Sequence, residues 1–172
     1  MSCAIVTGYT LDCKDAVAGI KNLYITEHAN VTAVTENASG FVTAITKAGG
    51  TKFYKYELEP RGQNNFAQAI QADPTVGTVA YEQTVIANFV KLKYETQVKL
   101  ETLVKNRTMV IIETKDGSYF LFGKNFGMEV SAGSGNSGQA MNEFQGYQLT
   151  FSAMEKTFAN EVSSTIISGL LS

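Results

Sequence analysis

Charge is scarce in this sequence: Asp, Glu, Lys and Arg make up 17% of its 172 residues, where about 25% is usual. Neutral polar residues stand in for them, with 18 Thr and many Asn, Gln, Ser and Gly. Depletion of charge marks the cores of protein interfaces, so a surface this neutral points to one covered by partners. A net charge of −2 and a pI near 5.5 leave no basic footprint for nucleic-acid recognition. Cysteine is also scarce. Cys3 and Cys13 form no Cys-x-x-Cys pair and are too few for a disulfide scaffold, so both read as reduced thiols. His28 is the only histidine; without His or Cys at ligand spacing, the common zinc patterns are excluded. The opening residues lack a basic segment followed by a long apolar one, so no secretory signal is expected. No run reaches the ~18 apolar residues of a membrane span. Folding and assembly in a cytoplasm is the expected history.

Proline occurs only at Pro60 and Pro74, and no linker-like run divides the chain. One domain is therefore expected over residues 1–172, with 1–21 loosely packed and 158–172 forming a C-terminal arm. What is abundant is β signal. Strands are expected from Leu23, over Val31–Lys47 with a turn at Glu36–Gly40, and over Thr51–Leu58 after Gly49-Gly50. Met109–Ile112 and Tyr119–Phe122 flank Lys115-Asp116-Gly117-Ser118, which predicts a hairpin closed by a type I′ turn. Both of these runs are apolar at every position, so both faces should be buried. Phe126–Ser131 reads as another strand, Ala132–Gly138 as a flexible loop, and Gly146–Met154 as a half-buried strand in clean alternation. Val162–Leu171 is apolar enough to dock as a last strand or reach a neighbour. One helix stands out at 95–105: Leu100, Leu103 and Val104 share a face, and Glu95–Lys99 and Glu101–Lys105 are spaced for i,i+4 pairs. Asn106 is placed to cap it.

The most informative stretch is Gln63–Asp73 and Thr78–Lys93, joined by Asp73-Pro74-Thr75-Val76-Gly77. Pro74 and Gly77 suit a hairpin tip. A strand of 16 residues would run about 50 Å at ~3.3 Å per residue, beyond the usual 3–10 residues. Its partner is mostly Asn, Gln and Ala. Two readings stand: an arm that completes its packing on another subunit, or an ordinary hairpin broken by a bulge. On the first, Phe66, Ile70, Val79, Tyr81, Val85 and Phe89 are the candidate interface residues.

Catalytic signals are thin. His28 reads as a surface or strand residue, and Cys13, between Asp12 and Lys14, as an inert thiol. Gly133-Ser134-Gly135-Asn136-Ser137-Gly138 fits G-x-G-x-x-G, but no helix follows and no parallel βαβ unit surrounds it, so a disordered or interface loop is the better reading. Glu57 and Glu59 read as a solvated edge. No catalytic residue, cofactor or metal is assigned.

The order of long hairpin, single helix and the run Arg107–Gly123, continued by Asn125-Phe126-Gly127-Met128-Glu129-Val130 and Gly146-Tyr147-Gln148-Leu149-Thr150-Phe151, resembles tail-tube-type virion proteins of tailed bacteriophages. The opening Ser2–Ile5 and Gly8–Cys13 resembles virion structural proteins from phages of the Bacteroidetes group. That likeness implies a mainly β fold, an antiparallel β-sandwich or barrel with a long hairpin arm and one flanking helix. It implies homo-oligomeric rings, hexameric by the same likeness, stacked into a tube within the virion. Other virion proteins would be partners, genomic DNA would pass through without sequence-specific binding, and no membrane is involved. Lys91 and Lys93 should then face away from the lumen or lie in the elbow before the helix. A head–tail connector or capsid-associated ring protein is the near alternative. A monomeric β-barrel that binds a ligand is the alternative of another class.

Overall fold

The structure, a computed structural model, describes residues 8–11, 17–59 and 62–172. Most of the segment expected to be loose, including both cysteines, lies outside the described residues. The fold is mainly β, and every strand pairing within its sheets is antiparallel. The strands are β1 (Ile20–Glu27), β2 (Val31–Glu36), β3 (Val42–Lys47), β4 (Tyr54–Glu57), β5 (Asn65–Asp73), β6 (Thr78–Val90), β7 (Thr108–Thr114), β8 (Tyr119–Phe122), β9 (Glu129–Asn136), β10 (Gly146–Glu155) and β11 (Asn160–Glu161). Two α-helices join them, α1 (Tyr94–Lys105) and α2 (Ser164–Leu170).

A five-stranded sheet in the order β11-β8-β7-β1-β4 forms the middle layer. Alternation along β7 shows why both of its faces are buried. Val110 and Ile112 point into a core shared with the second sheet and α1, joined there by Leu23, Phe122, Val85, Phe151 and Leu100. Met109 and Ile111 point the other way, into a core with Val42 and Ile45 of β3, Phe53, and Ile167 and Leu170 of α2. The second sheet has four strands in the order β5-β6-β10-β9, and β2 and β3 make a separate two-stranded ribbon. The sheets do not close into a barrel within one chain.

Several expectations shift. Ile20 is fully buried and pairs in β1, so the packed chain starts before Leu23. Residues 158–172 do not extend as an arm: β11 pairs with β8, Ser163 N–H donates to the Val42 carbonyl at 2.9 Å, and α2 covers the middle sheet. The predicted last strand is α2 because Ile167 and Leu170 at i,i+3 bury one helical face. Lys47 Nζ holds the end of this helix, donating to Gly169 O at 3.0 Å, Leu170 O at 3.2 Å and Ser172 O at 2.8 Å. The Gly/Ser loop is instead strand β9, whose inward positions Gly133 and Gly135 are filled by Leu149 and Tyr147 from β10; a Cβ on Gly133 would lie 2.8 Å from Leu149 Cδ2.

The turn after β7 is also a different type. Asp116 does not have positive φ, whereas Gly117 does, at 94°, and Gly117 N–H donates to Thr114 O at 3.1 Å. That is a type I turn followed by a left-handed glycine rather than type I′. On α1, neither Glu–Lys pair forms an ion pair; Glu101 accepts from Gln97 at 3.0 Å instead. Asn106 does close the helix, its side chain donating to Thr102 O at 3.0 Å.

Candidate assembly surface

The four-stranded sheet carries the features that the fold leaves unused. Nine consecutive residue pairs link β5 to β6 with no shift in register, so the hairpin is not broken by a bulge; the shift in this sheet lies between β9 and β10. β6 has 13 residues, about 43 Å of chain at 3.3 Å per residue. The hairpin tip is built as its residues predict. Asp73 accepts Thr75 N–H at 2.9 Å and the Thr75 hydroxyl, and Gly77 N–H, at φ 73°, donates to Asp73 O at 2.9 Å.

The six candidate interface residues all share the inward parity of this hairpin, but the structure divides them by depth. Val85 is fully buried and Phe89 nearly so, both in the core of their own chain, so neither is available to a partner. Phe66 is half-buried against Phe122, ring centroids 5.3 Å apart. Tyr81 meets Phe158 edge-on at 4.7 Å. Beyond that pair the chain's own packing ends: Ile70 and Val79 are each 57% exposed. Only the distal half of the hairpin is therefore uncovered.

Both edges of this sheet are open. β5 and β9 are its terminal strands, with nine and eight residues. Edge strands are ordinarily protected by Lys, Pro, shortness or a cover. Neither β5 nor β9 contains Lys, Arg or Pro, and each carries a single acid, Asp73 or Glu129, at one end. The outward parity carries no cation: Ala67, Thr84, Ser152 and Glu129 stand in one row and Asn65, Ile86, Thr150 and Ala132 in the next, and the ionisable groups on this face are the acids Asp73, Glu82 and Glu129. Lys91 and Lys93 lie in the exposed elbow between β6 and α1, where Lys91 adopts φ 73° and donates its N–H to Gln145 O at 2.9 Å.

Two buried carboxylates are structural in their contacts. Glu113 on β7 accepts from Lys21 Nζ at 2.8 Å, Asn22 Nδ2 at 2.6 Å and Tyr24 OH at 2.8 Å. Burial pushes its pKa up, but the three donors outweigh burial and hold it below the usual range. Burial and the same carboxylate push Tyr24 up, and the Glu113 hydrogen bond raises Lys21. Glu155 anchors the loop after β8, accepting from Asn125 N–H at 3.0 Å, Phe126 N–H at 2.9 Å and Asn125 Nδ2 at 2.8 Å.

His28 Nε2 lies 3.2 Å from Lys124 O. Glu57 pairs with Lys55 at 2.8 Å, while Glu59 falls outside β4. Among the described residues no group of three or more His, Cys, Asp or Glu is placed to hold a metal ion, and no helix is long and apolar enough to cross a membrane. A cleft of about 660 Å³ beside the elbow is lined by Glu59, Asn88, Lys91, Glu143 and Gln148, without a nucleophile–base pair. The sequence missed the Glu113 cluster because its donors lie about ninety positions away, although a lone Glu inside the apolar run of β7 is a visible signal. No protein-family model matches the chain, and neither the curated proteins nor the solved structures contain a match to it.

Proposed function

We propose that the chain is a ring-forming structural subunit of the tail-tube type, whose stacked rings enclose a passage for DNA in a virion. The observation that carries this reading is the four-stranded sheet with two long edges that contain no Lys, Arg or Pro and one terminal acid each. Left open, such edges template uncontrolled aggregation; paired with one another around a ring, they disappear. The strand count suits that closure. Four strands alternate in direction, so β5 and β9 run oppositely. A neighbour related by rotation about a ring axis then presents β9 antiparallel to β5, and alternation continues across the seam. The contact is heterologous, which closes into a ring when the rotation permits.

The outward face supports the same reading. Neutral side chains and three acids offer no cation to displace the counterions of DNA phosphates, so a lumen walled by this face would not retain DNA electrostatically. Lys91 and Lys93 follow the last residue of β6 and so lie in the elbow, outside the strands of the sheet.

Light scattering after size exclusion, with negative-stain images, tests the proposal: rings and stacked tubes are expected, and a monomer at high concentration overturns it. Rings that never stack would favour the head–tail connector reading instead.

A further inference from the structure

Resting on the ring reading above, we infer that the flank formed by α1 and β9 is the seat for the distal half of a neighbouring copy's β5–β6 hairpin. The insert and the seat lie on opposite sides of one sheet. On the hairpin, the inward face continues past the core as Ile70 and Val79, with Val76 at the tip 71% exposed. The chain's own tail covers this face only as far as Tyr81 and Gln68, where Phe158 stacks and Ala159 N–H donates to Gln68 at 2.6 Å. On the other side, a groove of about 480 Å³ opens between α1 and β9, lined by Leu100, Val104, Val130, Gly133 and Tyr147. Its β9 wall includes Gly133 and Gly135, with Tyr147 of β10 packed over Gly135. Val104 at its rim is 50% exposed.

Charge matches apolar surface with apolar surface in one orientation only. The hairpin, Asn65–Val90, contains Asp73 and Glu82 and no cation, a formal charge of −2. The elbow and α1, Lys91–Arg107, contain Lys91, Lys93, Lys99, Lys105 and Arg107 against Glu95 and Glu101, a formal charge of +3. Arg107 also pairs with Glu129 at 3.2 Å, and both are largely exposed. Head-to-tail closure sets the anionic flank of one copy on the cationic flank of the next, whereas the head-to-head and tail-to-tail arrangements oppose like charges.

The register adds a distance. Phe66 pairs with Val85, Val85 with Phe151 and Phe151 with Val130, so Phe66 and Val130 are level within one copy. Closing a barrel tilts its strands and staggers neighbours by about one residue each, hence about four residues over this sheet. Ile70 lies four residues beyond Phe66. A stagger that draws the hairpin toward the groove therefore brings Ile70 level with Val130, against Val104.

The test is a paired-cysteine variant, Ile70→Cys with Val104→Cys, in a chain carrying Cys3→Ser and Cys13→Ser. Mild oxidation of the assembled fraction should give a ladder of covalent dimers and higher multimers on a denaturing gel. Assembly without a ladder overturns the seat and leaves the ring reading standing; a parent chain that never assembles overturns both. If the first pair fails to fold by circular dichroism, Ile70→Cys with Glu101→Cys, which lines the same groove one turn before Val104, gives the same readout. Independently, Lys99→Glu with Lys105→Glu should raise the concentration needed for assembly about tenfold or more, and an unchanged concentration overturns the charge match.

Discussion

Replacing Glu113 with Gln removes the charge at the centre of a buried polar cluster while keeping the shape. The carboxylate is 5% exposed and accepts three hydrogen bonds of 2.6–2.8 Å. A glutamine keeps one acceptor oxygen and turns an NH2 group toward the remaining donors, so at least one buried donor loses its partner. Hydrogen bonds to a charged group contribute about 1.5–3 kcal/mol each, and an orphaned buried donor costs about 1–3 kcal/mol. Lys21 is largely exposed, its side chain 58% accessible, so its share is discounted for solvent screening. The expected loss is about 2–4 kcal/mol. At a urea slope of about 2 kcal/mol per molar, that moves the midpoint down by about 1–2 M. The pH dependence checks the cause. Glu113 titrates below its usual 4.5 in the folded chain, so its stabilisation is present above that pH and is lost as pH falls through the lowered value. Tyr24 and Lys21 titrate above their usual 10.0 and 10.5, so their share is present below pH 10 and is lost as pH rises through the raised values. Urea titrations of the monomeric fraction from pH 3 to pH 11 should show a plateau with two falling limbs. The Gln variant should lose height on the plateau and most of the acid limb. A midpoint unchanged within 0.3 M, or an acid limb identical to the parent, would refute the reasoning.

Other outcomes follow from other sites. Ala69→Lys on β5 and Ala132→Lys on β9 should each leave the melting temperature within about 2 °C, since exposed positions change stability by less than about 0.5 kcal/mol, while reducing assembly in light scattering; normal rings from both would remove the edge-pairing argument. Gly123→Ala should destabilise by about 2–4 kcal/mol, because φ is 69° and the new Cβ would lie 2.7 Å from Met128 N. Gly50→Ala, at φ 81° with open space around it, should cost only about 1 kcal/mol. Equal losses in thermal melts would show that the close approach at Gly123 is relieved. Lys47→Met should fray α2 at a cost of about 1 kcal/mol, read as faster amide exchange at Gly169–Leu171 with β7 unchanged.

Much of the β framework was legible because its signals are local. The alternation of Tyr147, Leu149, Phe151 and Ala153 named the inward face of β10, and the all-apolar Met109–Ile112 foretold burial on both faces. Asp116-Gly117 marked the hairpin, although only the backbone decides between the turn types. Where the chain draws its packing from elsewhere, the sequence was silent. β9 shows no alternation because Leu149 and Tyr147 fill the space its glycines leave. Val162–Leu171 is too short for periodicity to separate strand from helix. The candidate interface was half legible: parity found the correct face of the hairpin, but not the depth at which Phe89 and Val85 enter the core and Ile70 leaves it.

The uncovered face of the four-stranded sheet has one further consequence. Ala67 is exposed and Thr84, Ser152 and Thr150 are half-buried on the face away from the core, so folding constrains these positions less than their inward neighbours Val85 and Phe151. A randomised library there, sorted first for folded protein and then for assembly, would separate the two demands that most surfaces confound. Residue preferences that survive only the second sort would be imposed by contacts outside the single chain.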